Sequence, residues 1–280
     1  MAGTRHETGQ ADMSPTRRFV ASLVAFGVDD VVRADGKGAN LGELIQTGYW
    51  VPDALSSRPT PTRRSSSGPW CRLGSRRRSG KVLDAVRRCW ASLWTDRAIA
   101  YRHRRGIGAE DVRMAVVVQA MVEADIAGVV LTANPVTGVR DETVVDASSG
   151  LGEAVVSGQV TPDHYVLDSG GRVREWTPGQ REVVIRGAPG GGVTRDTTQP
   201  AEARRLTDNE LAELARSVRR REHFGRPQDI EWAWAHKRVW LLQQAVDSAP
   251  AASAAAQSHP AVHGGRRCWR CCPCAAIRST

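Results

Sequence analysis

The chain has few cysteines, few aromatic residues and no long apolar run, and these absences exclude several classes of protein. Only six of the 280 residues are Cys, and four of them crowd into residues 268–274, so they do not form the disulfide framework of a small secreted domain. Aromatic residues make up 5% of the chain, and no run approaches the roughly 18 apolar residues that a transmembrane helix needs. Residues 1–10 are polar and lack the apolar segment of a secretion signal. We therefore expect a cytoplasmic protein with reduced thiols and no membrane partner.

The positive charge of the chain is concentrated in one segment. Residues 56–105 hold fourteen Arg or Lys and two acids, although the net charge of the whole chain is only +9. The remainder is therefore slightly acidic. A basic cluster can bind nucleic acid by releasing counterions, but this one lacks interleaved aromatic residues of the kind on which bases stack. The pattern argues against nucleic-acid binding.

Composition divides the chain into five parts. We predict a disordered N-terminus (1–18), a partial N-terminal lobe (19–55), an Arg/Ser/Pro-rich linker (56–80), a main body (81–247) and a disordered tail (248–280). The linker has almost no apolar periodicity, so it cannot build a core. The tail carries His259, His263, Cys268 and Cys271, which are zinc-ligand types. The gap between the two pairs is short for wrapping a tetrahedral ion, and we interpret these residues as incidental.

Helical and strand patterns mix along the body. Apolar residues at helical spacing predict an amphipathic helix over 81–94, and a second helix covers 97–102. Apolar, β-branched runs at 114–122 and 128–133 predict buried strands, and shorter strand patterns follow up to residue 185. A capping box, Thr207 to Glu210, opens a helix that should run to about His223. The fold class is therefore α+β, with mostly antiparallel strands.

The most informative stretch is a hairpin pattern near the end of the body. Residues 229–234 and 239–242 are β-prone and flank a short polar tip. Strand alternation puts Asp229 and Glu231 on one face, with Ile230 and Trp232 on the other. Two adjacent carboxylates on a rigid strand suit Mg²⁺, which takes one or two carboxylates together with phosphate oxygens. The alternative is an exposed acidic edge strand, and the spacing alone leaves both open.

Two glycine-containing segments could hold phosphate. Gly36-Lys37-Gly38 stands just before a helical pattern at 39–45, and helix N-termini favour anions; an ordinary turn is the other interpretation. The loop 150–152 lacks the spacing of known phosphate loops, so we read it as a turn. Asp146 and Glu153 could be acids of a hydrolase, but nothing in their spacing sets the separation that such chemistry needs.

Six patches, in one order along the chain, resemble a single family. They are residues 36–44, 91–102, 118–122, 134–138, 150–163 and 229–232 with Gln243. Together they are similar to the ATP-binding domain of the phosphoenolpyruvate synthase and pyruvate phosphate dikinase family, which also includes rifampicin phosphotransferases. The resemblance implies an ATP-grasp fold, in which two α+β lobes hold the nucleotide. Here the N-terminal part is shortened.

The resemblance also implies a role for individual residues. Lys37 matches a lysine that contacts the ATP phosphates, and it is the candidate catalytic residue. The other matches are Gln119, Met121 and Val122 for the adenine lining, Asp229 and Glu231 for Mg²⁺ and ribose, and Gln243 for a position near the phosphates. The implied cofactors are ATP and Mg²⁺.

The chain departs from the family pattern in ways that limit the expected activity. Ala245 stands where the family has an arginine, and the carrier histidine in its Ser-His-Ala context is absent from the sequence. We therefore expect an ATP-binding domain of a pyruvate, water dikinase-like phosphotransferase that passes phosphate to a histidine on a separate phosphocarrier domain. The alternatives are the ATP-binding fragment of a rifampicin phosphotransferase and a nucleotide-binding remnant without catalysis.

Overall fold

The computed structural model describes residues 20–57, 76–110, 112–180, 183–188, 192–197, 204–219 and 226–246. The helices in these ranges are α1 (Val31–Gln46), α2 (Arg76–Ala91), α3 (Asp96–Arg105), α4 (Glu153–Val156) and α5 (Asp208–Arg219). The strands are β1 (Val20–Ser22), β2 (Ala54–Ser57), β3 (Val117–Gln119), β4 (Ile126–Leu131), β5 (Thr143–Ser149), β6 (Asp163–Leu167), β7 (Val173–Thr177), β8 (Val183–Gly187), β9 (Val193–Thr197), β10 (Gln228–Ala235) and β11 (Arg238–Val246). The predicted disordered ends, 1–18 and 248–280, with the His and Cys residues of the tail, lie outside these ranges.

A six-stranded sheet forms the larger layer. Its strand order is β11-β10-β4-β5-β6-β7, and every neighbouring pair is antiparallel. A two-stranded ribbon, β8-β9, joins it through a bridge between Gly150 and Ile185. The mixture of helices and antiparallel strands confirms the predicted α+β class.

A smaller sheet of order β1-β2-β3 carries the N-terminal elements and shares a core with the larger one. Leu41 and Leu44 of α1 are fully buried in the same apolar cluster as Ile230 and Trp232 of β10. On its other side α1 approaches residues 23–26 closely, and Gly42 permits this because a Cβ at that position would lie 2.2 Å from the carbonyl oxygen of Phe26. The two sheets are therefore joined through α1.

Regular secondary structure is present at both ends of the predicted linker, 56–80. Ser56 and Ser57 belong to β2 and are buried, and the backbone N–H of Val116 donates to the Ser57 hydroxyl at 2.8 Å. At the other end α2 begins at Arg76. These serines fit the composition of a linker, but here they are buried strand residues. Burial is possible because their hydroxyl groups make hydrogen bonds to backbone groups. Residues 58–75 lie outside the described ranges.

Other sequence predictions hold with shifted boundaries. The strand predicted over 114–122 is confined to β3. The capping box before α5 is present, since the backbone N–H of Thr207 donates to the Glu210 carboxylate at 2.9 Å and that of Glu210 donates to the Thr207 hydroxyl at 3.4 Å. The described part of α5 ends at Arg219, and His223 lies outside the described residues. None of the described helices has the length and apolarity that crossing a bilayer would require.

Candidate nucleotide-binding site

Strand β10 separates carboxylates from core residues. Ile230 and Trp232 are fully buried and pack in the main core, whereas Asp229 and Glu231 point to the opposite face and are half-buried. Ile230 and Trp232 lie between helix and sheet. The strand therefore cannot present its other face to the core without exposing these two large side chains. The predicted face assignment is confirmed, and it holds both carboxylates rigidly on one surface, which we call the site face.

A β-bulge brings Gln243 to the same face. Glu231 pairs with Gln243, but Trp232 pairs with Leu241, so Leu242 is an extra residue in β11. Leu241 is buried in the main core. Simple alternation from Leu241 would send Gln243 into that core as well. The bulge changes the parity, and the amide therefore lies directly across from Glu231 on the site face.

Helix α1 places Lys37 beside the same strand. The helix is interrupted at Asp35, whose φ of 61° and ψ of 167° is a strained conformation for a residue with a side chain. The Asp35 carboxylate accepts the backbone N–H of Gly36 at 2.7 Å. One turn beyond Lys37, the Asn40 side-chain amide donates to the carbonyl oxygen of Gln244 at 3.1 Å. The glycine-flanked lysine thus lies in a helical turn that is tied to β11.

Close packing favours glycine beside Lys37. A Cβ at Gly38 would lie 3.0 Å from the Cβ of Ala34 and 3.2 Å from the hydroxyl oxygen of Ser56. The Gly-Lys-Gly segment therefore approaches β2 closely. The helical pattern predicted over 39–45 lies in the second part of α1, which resumes after the break at Asp35, so Gly36, Lys37 and Gly38 form its first turn instead of preceding it.

The segment between β3 and β4 borders a cleft of about 790 Å³. Met121 and Val122 line it, together with Trp234 and the hairpin tip, His236 and Lys237. The volume is that of a site for a small organic ligand. The lining is mixed and combines apolar side chains with charged ones, such as Glu123 and Arg186.

Gln119 ends β3 just before this segment and does not line the cleft. Its side-chain Nε2 is buried without a hydrogen-bond partner among the described residues. A buried donor with no acceptor costs free energy, so this amide is suited to an acceptor supplied by a ligand. The indole Nε1 of Trp232, in the main core, is likewise buried without a partner among the described residues, so an unpaired donor does not by itself mark a ligand contact.

The glycine loop after β5 is occupied with its own backbone bonds. The N–H of Gly150 donates to the carbonyl oxygen of Asp125 at 3.0 Å, and that of Leu151 donates to Ile185 at 2.8 Å. Gly150 has a φ of +79°, and a Cβ there would lie 2.3 Å from the Ile185 carbonyl oxygen. These two N–H groups are unavailable to a phosphate, which agrees with the interpretation of this loop as a turn.

An ion pair further along the site face was missed by sequence reasoning. His164 Nδ1 lies 2.7 Å from an Asp146 carboxylate oxygen. The hydrogen bond to Asp146 raises the pKa of His164 above its usual 6.5, although partial burial opposes the shift. Cross-strand pairing puts Gln243, Glu231, Val129, Asp146 and His164 in one row across five strands. Only the sheet order could reveal this, because Asp146 and His164 stand apart in the sequence.

The carboxylates of the site face suit a hard cation held in part by a ligand. Within the described residues, no group of three or more His, Cys, Asp or Glu side chains gathers around a common point. Asp229 and Glu231, with the Gln243 amide oxygen, supply fewer ligands than a complete protein cage for Ca²⁺ would need, and no thiolate or imidazole that Zn²⁺ favours. Mg²⁺ typically binds in this way, with phosphate and water completing its shell.

Comparison with known proteins identifies the family. Residues 75–261 match the family described as pyruvate phosphate dikinase, AMP/ATP-binding domain. The match covers well over half of the chain, and the protein therefore belongs to this family. The resemblance seen in the sequence motifs is confirmed, and the chain is an ATP-binding domain of this group.

The relatives of the chain are named for different functions. The chain is 48% identical over 233 residues to a rifampicin phosphotransferase of Streptomyces sp., covering 80% of this chain and 26% of the relative. It is 46% identical over 165 residues to a probable phosphoenolpyruvate synthase of Methanothermobacter thermautotrophicus, covering 58% and 24%. It is 45% identical over 169 residues to the prodigiosin synthesizing transferase PigC of Serratia marcescens, covering 58% and 18%. The chain thus spans about a quarter or less of the length of these relatives. The Streptomyces match must include residues before 75, because residues 75–280 make up less than three-quarters of the chain.

Proposed function

We propose that this chain binds Mg-ATP in the space between α1, the β3–β4 segment and the site face, in the manner of an ATP-grasp protein. The observation that carries the proposal is the shared face of Asp229, Glu231 and Gln243, to whose strand β11 helix α1 is hydrogen-bonded. Asp229 and Glu231 share the face with Gln243, and the turn that holds Lys37 is hydrogen-bonded to the strand of Gln243 through Asn40. Lys37 stands near one end of the described chain and Gln243 near its opposite end, and the Asn40 hydrogen bond is the contact that supports placing them at one site.

The spacing along β10 fits an extended nucleotide. Trp234 pairs with Ile126, where the β3–β4 segment enters the sheet, and Glu231 lies three residues further along the strand. Three residues of strand span about 10 Å. A base beside Met121 and Val122 therefore leaves room for its phosphates to reach the carboxylates.

Each residue has a distinct task in this proposal. Met121 and Val122 provide apolar contact for the base, and Gln119 donates a hydrogen bond to it. Lys37 holds a phosphate oxygen from the α1 side, while Gln243 orients the phosphates from β11. Asp229 and Glu231 would hold Mg²⁺, which neutralises phosphate charge when it is bound. Phosphoryl transfer depends mainly on such charge neutralisation and alignment.

In this proposal, the group that accepts the phosphoryl group is not among the described residues. By analogy with the names of its relatives, the chain would pass a phosphoryl group towards pyruvate chemistry or towards an antibiotic, through a histidine on a phosphocarrier domain. We propose pyruvate, water dikinase-like transfer as the first candidate and rifampicin phosphorylation as its alternative. Both use the same ATP site, and both would take place in the cytoplasm.

Thermal unfolding with Mg-ATP tests the site directly. We expect the midpoint of unfolding to rise with ligand concentration, because a ligand that binds only the folded state stabilises it by mass action. Glu231→Gln should reduce the rise, since it removes one charge from the proposed Mg²⁺ site. Glu175→Gln is the matched control, because Glu175 is exposed on the far edge strand of the same sheet. Equal shifts in all three proteins, or no shift in any, would refute the proposed site.

A binding protein without turnover is the second candidate, and Ala245 favours it. Ala245 pairs directly with Asp229 on the site face. The family arginine at this position would therefore stand beside the proposed metal and phosphates. A fixed guanidinium on a transferred phosphate can contribute several kcal/mol to transition-state stabilisation.

Restoring the arginine separates the two candidates. We expect Ala245→Arg to raise the rate of ATP hydrolysis by at least about tenfold, which corresponds to about 1.4 kcal/mol. Ala245→Lys is the control, because it restores charge without the planar fork that binds phosphate. If neither variant changes hydrolysis while ATP still stabilises the protein, the loss of this arginine does not explain a lack of turnover.

A further inference from the structure

Helix α3 presents apolar and basic side chains that the rest of the described chain leaves uncovered. None of its ten residues is buried. Four large apolar side chains in and around it are between 42% and 45% exposed: Trp94, Ile99, Tyr101 and Ile107. An isolated helix of this length is marginal in water. Three contacts stabilise it: the Thr95 side chain caps the start, Gly106, with a φ of 66°, closes the end, and the Arg102 guanidinium donates to the carbonyl oxygen of Leu93.

The charge of α3 is almost all of one sign. It holds Arg97, Arg102, Arg104 and Arg105 against a single acid, Asp96. No ion pair among the described residues involves any of these four arginines. The helix dipole favours cations in the last turn, which explains their position. It does not explain the apolar groups placed among them.

We propose that α3 and its flanking residues, from Trp94 to Ile107, form a docking surface for a protein partner with an acidic rim and an apolar centre. Exposed aromatic and arginine side chains together are the composition of the central part of protein interfaces. Charge complementarity sets the sign of the partner. The surface is separate from the nucleotide site, so this proposal goes beyond the proposed function.

Cation–π contacts distinguish a protein partner from nucleic acid. The guanidinium of Arg102 lies 5.3 Å from the ring centre of Trp94, and that of Arg105 lies 5.6 Å from that of Tyr101. Both rings therefore already have one face occupied and offer little room for bases to stack. Ile99 has no counterpart on a phosphate backbone, whereas an apolar patch on a protein would cover it. The sequence interpretation overlooked these aromatics among the arginines, although it too argued against nucleic acid.

Isothermal titration with a designed peptide tests the surface. The probe is an amphipathic helical peptide of about 16 residues with a leucine stripe flanked by glutamates. Its control has lysine in place of each glutamate. We expect saturable, salt-sensitive binding of the acidic peptide in the micromolar range, about 10–500 µM, and none of the basic one. The double variant Arg97→Glu/Arg104→Glu should weaken binding at least tenfold. Ile99→Ser/Tyr101→Ser should also weaken it, with less dependence on salt.

Controls keep the outcomes separate. Arg140→Glu/Arg216→Glu makes the same charge change at two exposed arginines away from α3 and should bind like the parent. The thermal shift with Mg-ATP should be unchanged in every variant, so a failure of α3 docking is distinct from a failure of the nucleotide site.

Absence of saturable binding overturns the proposal, as does equal weakening by the control pair. Tighter binding of a single-stranded oligonucleotide that the α3 variants abolish would overturn it in favour of nucleic acid. Self-association of the parent chain that the same variants abolish would overturn it in favour of a second copy.

Discussion

At the scale of single residues, the pair of Asp146 and His164 shows how a sheet can create an electrostatic feature that the sequence hides. The two residues pair across β5 and β6 on the site face, and the carboxylate holds the imidazole through Nδ1. The pKa of His164 is raised by this hydrogen bond. The folded state therefore prefers the protonated imidazole more strongly than the unfolded chain does.

The stability contributed by this pair should depend on pH with a definite sign. A raised folded pKa gives stabilisation that is fully present below the unfolded value of 6.5 and is lost as pH rises through the folded value. We expect the difference in melting temperature between the parent and His164→Gln to be largest near pH 6 and to shrink towards pH 9. Urea or thermal unfolding at a series of pH values measures it.

His103→Gln is the matched control, because His103 is exposed on α3. Its melting temperature should follow that of the parent across the series. A difference for His164→Gln that stays constant with pH would mean that the imidazole acts through packing and not through charge.

At the scale of elements, the hairpin joining β10 and β11 has the short tip that its sequence predicts. Ala235 pairs with Arg238, so the turn has two residues. His236 and Lys237 both have positive φ, 53° and 60°. Such turns favour Asn-Gly, since residues with larger side chains are strained there.

Replacing the turn residues should therefore stabilise the protein. We expect His236→Asn/Lys237→Gly to raise the free energy of unfolding by about 1 kcal/mol, measured by urea denaturation. Arg88→Gly in the last turn of α2 is the control and should lower it by no more than about 0.5–1 kcal/mol, because glycine loses more backbone freedom than arginine when a helix forms. If the hairpin variant is no more stable than the parent, the His236 and Lys237 side chains make compensating contacts at the rim of the cleft.

At the scale of the whole molecule, the two sheets should unfold together. Residues of α1 share one apolar cluster with β4, β5, β10 and β11, and the Asn40 hydrogen bond to Gln244 joins positions 204 residues apart. We expect a single urea transition, with coincident tryptophan fluorescence and circular dichroism. Asn40→Ala should lower the free energy of unfolding by about 1 kcal/mol without changing the slope of the transition.

Gln46→Ala is the comparison for this variant. It removes hydrogen bonds to the carbonyl oxygens of Val24 and Phe26, which lie within the N-terminal part alone. If the sheets are coupled, this local loss should also lower the midpoint of the one common transition. Two separated transitions in any of the three proteins would show that the shared core does not couple the sheets.

Local patterns in the sequence predicted part of this architecture, and tertiary contacts decided the rest. Alternation in β10 correctly assigned Asp229 and Glu231 to one face, because Ile230 and Trp232 have only one core to fill. The position of Gln243 came from family resemblance, since the bulge at Leu242 defeats simple counting.

Features that depend on which strands become neighbours escaped prediction. The pairing of Asp146 with His164 is one example, and the buried bond from Gln244 Nε2 to Gln228 Oε1, at 2.7 Å, is another. Composition also misjudged Ser56, whose burial follows from contacts made far along the chain.

The bulge at Leu242 also gives β11 one residue of spare length. Pairing on its two sides continues as Trp232 with Leu241 and Glu231 with Gln243, so a chain lacking Leu242 could keep every one of these partners in an unbroken ladder. Straightening the bulge would therefore absorb the loss of one residue here, and Gln243 would still lie across from Glu231. An added residue cannot be absorbed in this way. It would have to enlarge the bulge or shift the pairing of all the residues of β11 that follow it. Over evolutionary time, β11 should accordingly accept a lost codon at this point more readily than a gained one.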